Sequence, residues 1–268
     1  MFPRLFSLDG FTLHTYGVLV ATGFLVGIFT AQRMARRFGL NPDLMFNLAV
    51  YLALSAMVGA KLFLILQDWR FYVQQPRQLF TLALLQSAGI FYGGLIGALA
   101  VLFWFVYRHH LSWLGLGDCL APGAAIGHAI GRLGCFSAGC CWGRPTNAGW
   151  GITFTNPYSN ATVGVPLGIR LYPTQLIESG AELLIFLLLL YLARRRRFTG
   201  ELVATYLLAY GLVRFFVDIL RSYEPEAMLF HGTLTAGQLT SLVMIALAIG
   251  IWVRRAHLVR HAVPATSH

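Results

Sequence analysis

The chain has 268 residues, of which 57% are hydrophobic and only 11% are charged. Soluble globular domains carry roughly a quarter charged residues, so this composition excludes an ordinary soluble domain and predicts an all-α polytopic membrane protein. The formal net charge is +10, but the basic residues lie in clusters between apolar runs, where they orient helices and contact anionic membrane lipids. Nucleic acid is therefore not an expected partner.

Apolar stretches long enough to cross a membrane recur along the whole chain. The residues before the first stretch include Arg4 and Asp9 and do not have the pattern of a cleavable signal peptide, so that stretch is expected to be retained. We predict about seven transmembrane helices, at about residues 16–31, 44–66, 79–107, 116–130, 175–193, 202–220 and 236–253.

Basic clusters follow the first, third, fifth and seventh stretches; the third ends in Arg108-His109-His110, and the densest cluster is the arginine run at residues 194–197. Because basic residues accumulate on the cytoplasmic side of membrane proteins, this pattern predicts a periplasmic N-terminus and a cytoplasmic C-terminus. Residues 1–255 would then form a single transmembrane domain with an extracytoplasmic segment at about 132–172. Residues 256–268 would form a cytoplasmic tail.

The most distinctive stretch follows the fourth apolar run and reads Gly131-Arg132-Leu133-Gly134-Cys135-Phe136-Ser137-Ala138-Gly139-Cys140-Cys141-Trp142-Gly143-Arg144-Pro145. A guanidinium stays charged and forks onto phosphate or carboxylate oxygens, and glycines let backbone N–H groups approach the same ligand. This pattern predicts a lipid-phosphate site. The alternative is that Arg132 and Arg144 only extend towards lipid headgroups at a helix end.

Ionisable residues inside the apolar stretches are the next candidates, because a charge in hydrocarbon is costly and usually faces a partner or a ligand. Glu178 and Glu182 are one helical turn apart, so they share a face and can pair with arginines of neighbouring helices. Arg214 and Asp218 have the same spacing, and a self-contained ion pair is the alternative for them.

Two further candidates have structural alternatives of their own. His128 lies four residues before the arginine of the distinctive stretch and would share its helix face; the alternative is a histidine that is hydrogen-bonded within the packing. Gly93 and Gly94 follow Tyr92 in the third stretch, where close packing of helices through small residues is the alternative.

Taken together, several short motifs resemble those of the prolipoprotein diacylglyceryl transferases, a family of bacterial inner-membrane enzymes. They cover nearly the whole chain and occur in the same order as in that family. The matching segments are Tyr16-Gly17, Phe91-Tyr92-Gly93-Gly94-Leu95-Ile96-Gly97, Gly131-Arg132-Leu133-Gly134, Tyr172-Pro173-Thr174-Gln175 with Glu178, Tyr210-Gly211 with Arg214 and Arg221, and Gly237-Gln238 with Ser241.

The resemblance implies transfer of the diacylglyceryl group of phosphatidylglycerol to the lipobox cysteine thiol of a preprolipoprotein, which releases glycerol phosphate and leaves a thioether. It implies no cofactor and a location in the bacterial inner membrane. Arg132 and Arg214 are expected to hold the phosphate, and Tyr92 and His128 to handle the proton. The expected substrate-binding residues are Tyr16, Gly93, Gly94, Gly134, Gln175 and Glu178.

The chain departs from the family pattern at positions that matter for chemistry. Tyr92 stands where the family motif has a histidine, and tyrosine with a pKa of about 10 is a poor base at neutral pH. Cys135 stands where the family has an asparagine. These departures leave open a second interpretation, a relative with the same fold that binds or moves an anionic lipid or carries out a thiol-dependent lipid reaction.

Three of the four cysteines crowd into a few residues, at Cys135, Cys140 and Cys141. Their spacing is not that of usual zinc sites, so no metal is expected. Adjacent cysteines rarely bond to each other, for geometric reasons. A disulfide between Cys135 and either Cys140 or Cys141 is therefore the prediction for an oxidising compartment.

Overall fold

The fold comes from a computed structural model that describes residues 2–8, 11–81, 89–222, 228–229 and 233–261. In this part of the chain the helices are α1 (Thr15–Arg37), α2 (Pro42–Gln67), α3 (Trp69–Gln74), α4 (Phe91–Arg108), α5 (Trp113–Ala138), α6 (Pro157–Val163), α7 (Thr174–Ala193), α8 (Glu201–Leu220) and α9 (Ala236–His261), with a 3-10 helix at Pro76–Phe80. The strands form antiparallel pairs, β1 (Arg4–Leu8) with β2 (Phe11–His14), β3 (Ile152–Thr153) with β4 (Arg170–Leu171), and β5 (Met228–Leu229) with β6 (Leu234–Thr235).

Among the described residues, five helices are long and apolar enough to cross a membrane, namely α1, α2, α7, α8 and α9. Helix α4 is apolar but shorter. Helix α5 has 26 residues and is not among the five, because Asp118, His128, Arg132 and several glycines lower its hydropathy. The chain is therefore a mostly helical, multi-pass membrane protein, while the count of seven spans and the orientation stay predictions.

Several boundaries differ from the predicted ones or cannot be compared with them. Helix α4 begins at Phe91, whereas the third stretch was expected to begin near residue 79, where a 3-10 helix that starts with a proline ends instead. Helix α1 continues to Arg37, and α9 continues to His261, into the predicted tail. The fourth stretch was expected to end near residue 130, but α5 continues to Ala138, so the first part of the distinctive stretch is helical. Residues 82–88 of the third predicted stretch and residues 262–268 of the predicted tail lie outside the described residues.

The long helices place polar groups inside and apolar groups outside. Glu178 and Glu182 are 1% and 0% exposed, whereas Leu184 on the same helix is 69% exposed and Phe216 on α8 is 63% exposed. Exposed apolar side chains in such number are solvated by lipid rather than by water, and buried ionisable groups in a membrane protein face one another or a ligand. The burial pattern therefore agrees with helices that lie in a bilayer.

The contacts divide the chain into two compact units, Met1–Met34 with Gly117–His268 and Ala35–Leu116. In the second unit, α2 packs closely against α4, and a β-carbon at Gly59 would clash with the carbonyl oxygen of Gly93. In the first unit, α8 packs against both α7 and α9.

In the first unit, α1 and α5 cross through glycines on both helices. A β-carbon at Gly123 would clash with the carbonyl oxygen of Gly27, and one at Gly23 would lie 2.7 Å from the carbonyl oxygen of Gly127. Small residues let two membrane helices approach closely, which increases their van der Waals contact. This crossing fixes the part of α5 that carries the candidate site.

The connection between α5 and α7 contains secondary structure and a small hydrophobic core of its own. Strands β3 and β4 pair, and Phe154, Val165 and Leu171 form a small buried core on which Phe136 and Trp142 pack. This core anchors the turn that follows α5, and so it positions the three neighbouring cysteines.

Candidate active site

Helices α5 and α7 each present two polar side chains to the other, four residues apart on each helix. The Arg132 Nη2 atom donates to Glu178 Oε1 at 2.7 Å, and His128 Nδ1 lies 2.8 Å from Glu182 Oε1. Because residues four apart lie on one helix face, the two pairs stack along the contact between these helices. Glu178 pairs with arginine as the sequence predicted, whereas the partner of Glu182 across this contact is His128 rather than an arginine.

The hydrogen bonds of His128 define its tautomer. The Nε2 atom accepts a hydrogen bond from Arg132 Nε at 3.1 Å, so it carries no proton in this arrangement. The Nδ1–H group then donates to the carboxylate of Glu182. A neutral imidazole whose Nδ1–H is held by a carboxylate is the form that can accept a proton at Nε2.

Helix α8 brings a second guanidinium to the same carboxylate. Arg214 Nη1 lies 3.6 Å from Glu178 Oε2, and Arg214 Nη2 lies 2.8 Å from Asp218 Oδ1. The hydroxyl group of Tyr210 donates to Glu178 Oε1 at 3.4 Å. The Arg214–Asp218 pair therefore exists but is not self-contained, and Arg132 and Arg214 converge on opposite oxygens of Glu178.

Asp218 extends this cluster towards the start of α9. Its Oδ2 atom accepts a hydrogen bond from Thr235 Oγ1 at 2.5 Å, and Arg221 Nη1 lies 3.9 Å from its Oδ1 atom. A β-carbon at Gly237 would clash with the Asp218 carboxylate, so a larger residue there would displace that side chain from its place in the network. The Gly237 motif of the last helix thus has a structural reason.

We call the set His128, Arg132, Glu178, Glu182, Arg214 and Asp218 the Glu178 network. The carboxylates of Glu178 and Asp218 are 1% and 0% exposed on their side chains, whereas the guanidiniums of Arg132 and Arg214 are 12% and 15% exposed. Buried charges are tolerated when opposite charges and hydrogen bonds satisfy them. The partly accessible side chains are those of His128, which is 27% exposed, and of the two arginines, so an incoming anion would meet them before the carboxylates.

A second polar feature, the thiol turn, comprises Cys135 in the last turn of α5 and Cys140 and Cys141 just after it. The three Sγ atoms lie within 4.8 Å of one another and all three cysteines are free thiols. Among the cysteine, histidine and acidic side chains of the described residues, these three cysteines form the group that is spaced closely enough to hold a metal ion. The predicted disulfide stays a prediction.

The two thiols that follow α5 have altered acidities. Hydrogen bonds with Cys135 and Cys141, together with partial burial, raise the pKa of the Cys140 thiol. Hydrogen bonds from Cys135 and Cys140, together with the positive charges of Arg221 and Arg132, lower the pKa of the Cys141 thiol despite its partial burial. The thiolate is the form of cysteine that acts as a nucleophile or a metal ligand. Arg132 connects the two features, because its Nη1 atom lies 4.0 Å from Cys135 Sγ.

Other predicted residues take supporting positions in the first unit. Gln175 is 1% exposed, and its Nε2 atom donates to the carbonyl oxygen of Cys140 at 2.7 Å. A β-carbon at Gly134 would lie 3.4 Å from Cδ2 of Tyr16, so these two residues meet where α1 packs on α5. These contacts place Tyr16, Gly134 and Gln175 next to the thiol turn; their substrate-binding role stays a prediction.

Tyr92, Gly93 and Gly94 belong to the second unit. β-Carbons at Gly93 and Gly94 would meet the backbone of α2, which agrees with the alternative of close helix packing. Tyr92 is 66% exposed. The predicted roles of these three residues in catalysis and substrate binding stay predictions.

Sequence reasoning did not single out Tyr206 or Thr235, and it noted Tyr210 only as part of a motif. The rings of Tyr206 and Tyr210 stack with centroids 5.8 Å apart, and His128 packs edge-on against Tyr210 at 5.1 Å. The four-residue spacing of the tyrosines was a usable signal for a shared face. No comparable signal pointed to Thr235, because it lies in β6, 17 residues beyond its partner Asp218 in α8.

These features define a class of protein: a multi-pass membrane protein that holds the Glu178 network among apolar helices, next to the thiol turn. Comparisons with known sequences identify the family. Residues 3–254 match the sequence model described as prolipoprotein diacylglyceryl transferase.

Individual relatives cover almost the full chain. A protein of Clostridium tetani is 30% identical over 253 residues, which is 94% of this chain and 97% of the relative. A protein of Thermosynechococcus vestitus is 33% identical over 245 residues, which is 90% of this chain and 87% of the relative. Both are named phosphatidylglycerol–prolipoprotein diacylglyceryl transferase. The chain belongs to the prolipoprotein diacylglyceryl transferase family.

Proposed function

We propose that this chain transfers the diacylglyceryl group of phosphatidylglycerol to the lipobox cysteine thiol of a preprolipoprotein. The observation that carries the proposal is the convergence of Arg132 and Arg214 on Glu178, within 2.7 and 3.6 Å, among helices whose outer faces are apolar. The names of the relatives support the choice of substrates.

The chemistry requires stabilisation of a leaving phosphate. The thiol sulfur attacks the glycerol carbon that carries the phosphate ester, so an S–C bond forms and the C–O bond breaks. The phosphodiester, with one negative charge, leaves as glycerol phosphate with a second negative charge on the freed oxygen. Fixed guanidiniums in a water-poor site stabilise this developing charge at little reorganisation cost, and Arg132 and Arg214 fill this role.

The thiol proton needs an acceptor, because an unperturbed thiol with a pKa of about 8.5 is only a few per cent ionised at neutral pH. His128 is the proposed acceptor, through the Nε2 atom that faces Arg132, while Glu182 holds the opposite nitrogen. When Nε2 takes the proton, Glu178 Oε1 at 3.5 Å is available as its new partner. Tyr92, in the place of the family histidine, is proposed to orient substrate or relay this proton.

The proposed setting is the bacterial cytoplasmic membrane, with seven spans, a periplasmic N-terminus and a cytoplasmic C-terminus. The arginine run at residues 194–197, directly after α7, supports a cytoplasmic position for that end of the helix. The thiol turn and the connection between α5 and α7 then lie at the outer leaflet, where lipobox cysteines of exported precursors arrive. Residues 1–255 act as one membrane domain in this proposal.

The test is a transfer assay with the full chain in liposomes and a synthetic lipobox peptide. With phosphatidylglycerol, we expect the peptide to gain one diacylglyceryl group by mass spectrometry, with equimolar release of glycerol phosphate. Liposomes of phosphatidylethanolamine alone are the control and are expected to give no product. No product under conditions in which the Clostridium tetani relative is active would instead favour a protein that binds or moves an anionic lipid.

A further inference from the structure

The thiol turn has a defined backbone conformation. Gly139 has a φ of +85° and Cys141 a φ of +60°, both in the left-handed region. This backbone course reverses the chain after α5 and returns Cys140 and Cys141 towards Cys135. A left-handed φ at a cysteine is uncommon and costs energy, so the surrounding structure must stabilise it.

Helix α7 and the small core hold the turn in place. The carbonyl oxygens of Cys140 and Cys141 accept hydrogen bonds from Gln175 Nε2 at 2.7 Å and from Thr174 Oγ1 at 2.8 Å. Both donors are 1% exposed. The turn is therefore fixed by buried side chains of another helix, as expected for a preorganised site.

We propose that the thiol turn binds one thiophilic divalent cation of the zinc class through the sulfur atoms of Cys135, Cys140 and Cys141. Zinc–sulfur bonds of about 2.3 Å place neighbouring sulfurs about 3.8–4.0 Å apart in tetrahedral or trigonal geometry. The three Sγ atoms already lie within 4.8 Å of one another, so side-chain adjustment of about 1 Å completes the site. A disulfide would use two of the sulfurs and leave the convergence of the third unexplained.

The charges around the turn suit this ligand set. Three thiolates and one divalent cation carry a net charge of −1, and the Arg132 guanidinium, 4.0 Å from Cys135 Sγ, offsets it. A metal ligand must be deprotonated, and the guanidinium beside the turn favours the anionic form of the sulfurs.

Three protein ligands leave one coordination position of a tetrahedral ion open, which is the arrangement of catalytic rather than purely structural zinc sites. All three cysteines are partly exposed. Resting on the proposed function, we assign this position to the lipobox thiol, which binds as thiolate while its proton passes to His128. The sulfur then forms the S–C bond, glycerol phosphate leaves, and the neutral thioether, a weak ligand, dissociates.

The first test measures metal binding independently of activity. Full-length protein, purified anaerobically in detergent and reduced, is titrated with Co²⁺ after removal of bound metal. We expect one Co²⁺ per chain, with the thiolate charge-transfer band and the intense visible bands of a tetrahedral cobalt thiolate site. Zn²⁺ should displace Co²⁺ and remove these bands.

Variants separate the turn from the remaining cysteine. Cys135→Ser, Cys140→Ser and Cys141→Ser are each expected to weaken Co²⁺ binding at least tenfold, whereas Cys119→Ser, in the buried part of α5, should bind as the wild type does. Circular dichroism checks that each variant is folded. Absence of thiolate–cobalt bands in the reduced wild-type protein overturns the proposal even where a variant fails to fold, and so does a disulfide within the turn that persists under anaerobic purification.

The second test addresses the open position. A lipobox peptide is added to the Co²⁺ protein, with the matching peptide in which serine replaces the lipobox cysteine as a control. We expect the cysteine peptide alone to shift the charge-transfer and visible bands. Cobalt bands that do not shift with the cysteine peptide would overturn the substrate-thiol assignment. A bound metal without transfer activity would contradict the proposed function but not the metal site.

Discussion

At the scale of single residues, Glu178 is the centre of the candidate site. Its carboxylate, 1% exposed, accepts the guanidinium of Arg132 at 2.7 Å, lies 3.6 Å from that of Arg214, and accepts the Tyr210 hydroxyl group at 3.4 Å. Glu178 therefore keeps two cations side by side in a place where they would otherwise repel each other.

Glu178→Gln, which preserves the size of the side chain, is expected to destabilise the protein. It removes the charge that compensates two buried guanidiniums, and breaking a buried ion pair costs about 3–5 kcal/mol. The measurement is the free energy of unfolding in detergent. The matched control is Asp43→Asn, because Asp43 is exposed in the first turn of α2 and should change the free energy little.

A loss below about 1 kcal/mol for Glu178→Gln would resemble an exposed salt bridge and contradict the role given to this carboxylate.

Much of the pairing at residue scale followed from sequence, since the four-residue spacing of His128 with Arg132 and of Glu178 with Glu182 predicted shared faces. That Arg214 shares Glu178 with Arg132 could not be predicted, because it depends on the packing of α7 against α8.

At the scale of elements, the crossing of α1 and α5 depends on glycines. A β-carbon at Gly123 would clash with the carbonyl oxygen of Gly27, which is backbone and cannot turn away. The only adjustment available is to separate the two helices, and this would displace the end of α5 that carries His128 and Arg132.

Gly123→Ala is therefore expected to lower the free energy of unfolding by about 1–3 kcal/mol, the usual cost of overpacking. Gly131→Ala is the matched control on the same helix, because a β-carbon there meets nothing within 4 Å. It should be neutral or stabilising by up to about 1 kcal/mol, through the higher helix propensity of alanine. Equal effects of the two substitutions would show that α1 and α5 do not pack closely at Gly27 and Gly123.

The start of α8 depends on a side chain from another helix. The carboxylate of Asp118 in α5 accepts hydrogen bonds from the backbone N–H groups of Gly200, Leu202 and Val203 at 2.7 to 3.0 Å. It also pairs with Arg196 at 3.2 Å. The first N–H groups of a helix have no partner within the helix, so Asp118 satisfies them in a buried place.

Asp118→Asn keeps one acceptor oxygen but removes the charge, and we expect the free energy of unfolding to fall by about 1–3 kcal/mol. Hydrogen exchange should rise at the amides of Leu202 and Val203 and leave the last turn of α8 unchanged. Uniform exchange along α8 would contradict a local capping role. Sequence reasoning did not find this residue, since its partners are 78 to 85 positions away.

Element boundaries were harder to predict than the elements themselves. The apolar pattern located α1, α2, α7, α8 and α9 well, because each is a sustained apolar run. The end of α5 was placed too early, since its last turns are rich in glycine and polar side chains that face α7 and the thiol turn rather than lipid. Sequence hydropathy identifies helical segments that contact lipid, but it does not predict where a helix ends when its last turns line a polar site.

At the scale of the whole molecule, orientation in the membrane decides whether the candidate site meets exported substrates. We expect alkaline phosphatase inserted after Asn147, between α5 and α7, to be active, because this enzyme folds only outside the cytoplasm. The same enzyme inserted after Arg197 should be inactive. Activity at both positions, or at Arg197 alone, would contradict the proposed topology.

The central claim is that the arginines of the Glu178 network stabilise the departing phosphate. The most direct measurement compares kcat for diacylglyceryl transfer in the wild type, Arg132→Lys and Arg144→Lys. Lysine keeps the charge but not the forked donor geometry, so Arg132→Lys is expected to lower kcat about 10²–10³-fold. Arg144, exposed and bound through Nε to the carbonyl oxygen of Arg221, is the control and should keep nearly full activity. Wild-type kcat in Arg132→Lys, or an equal loss in Arg144→Lys, would contradict the account.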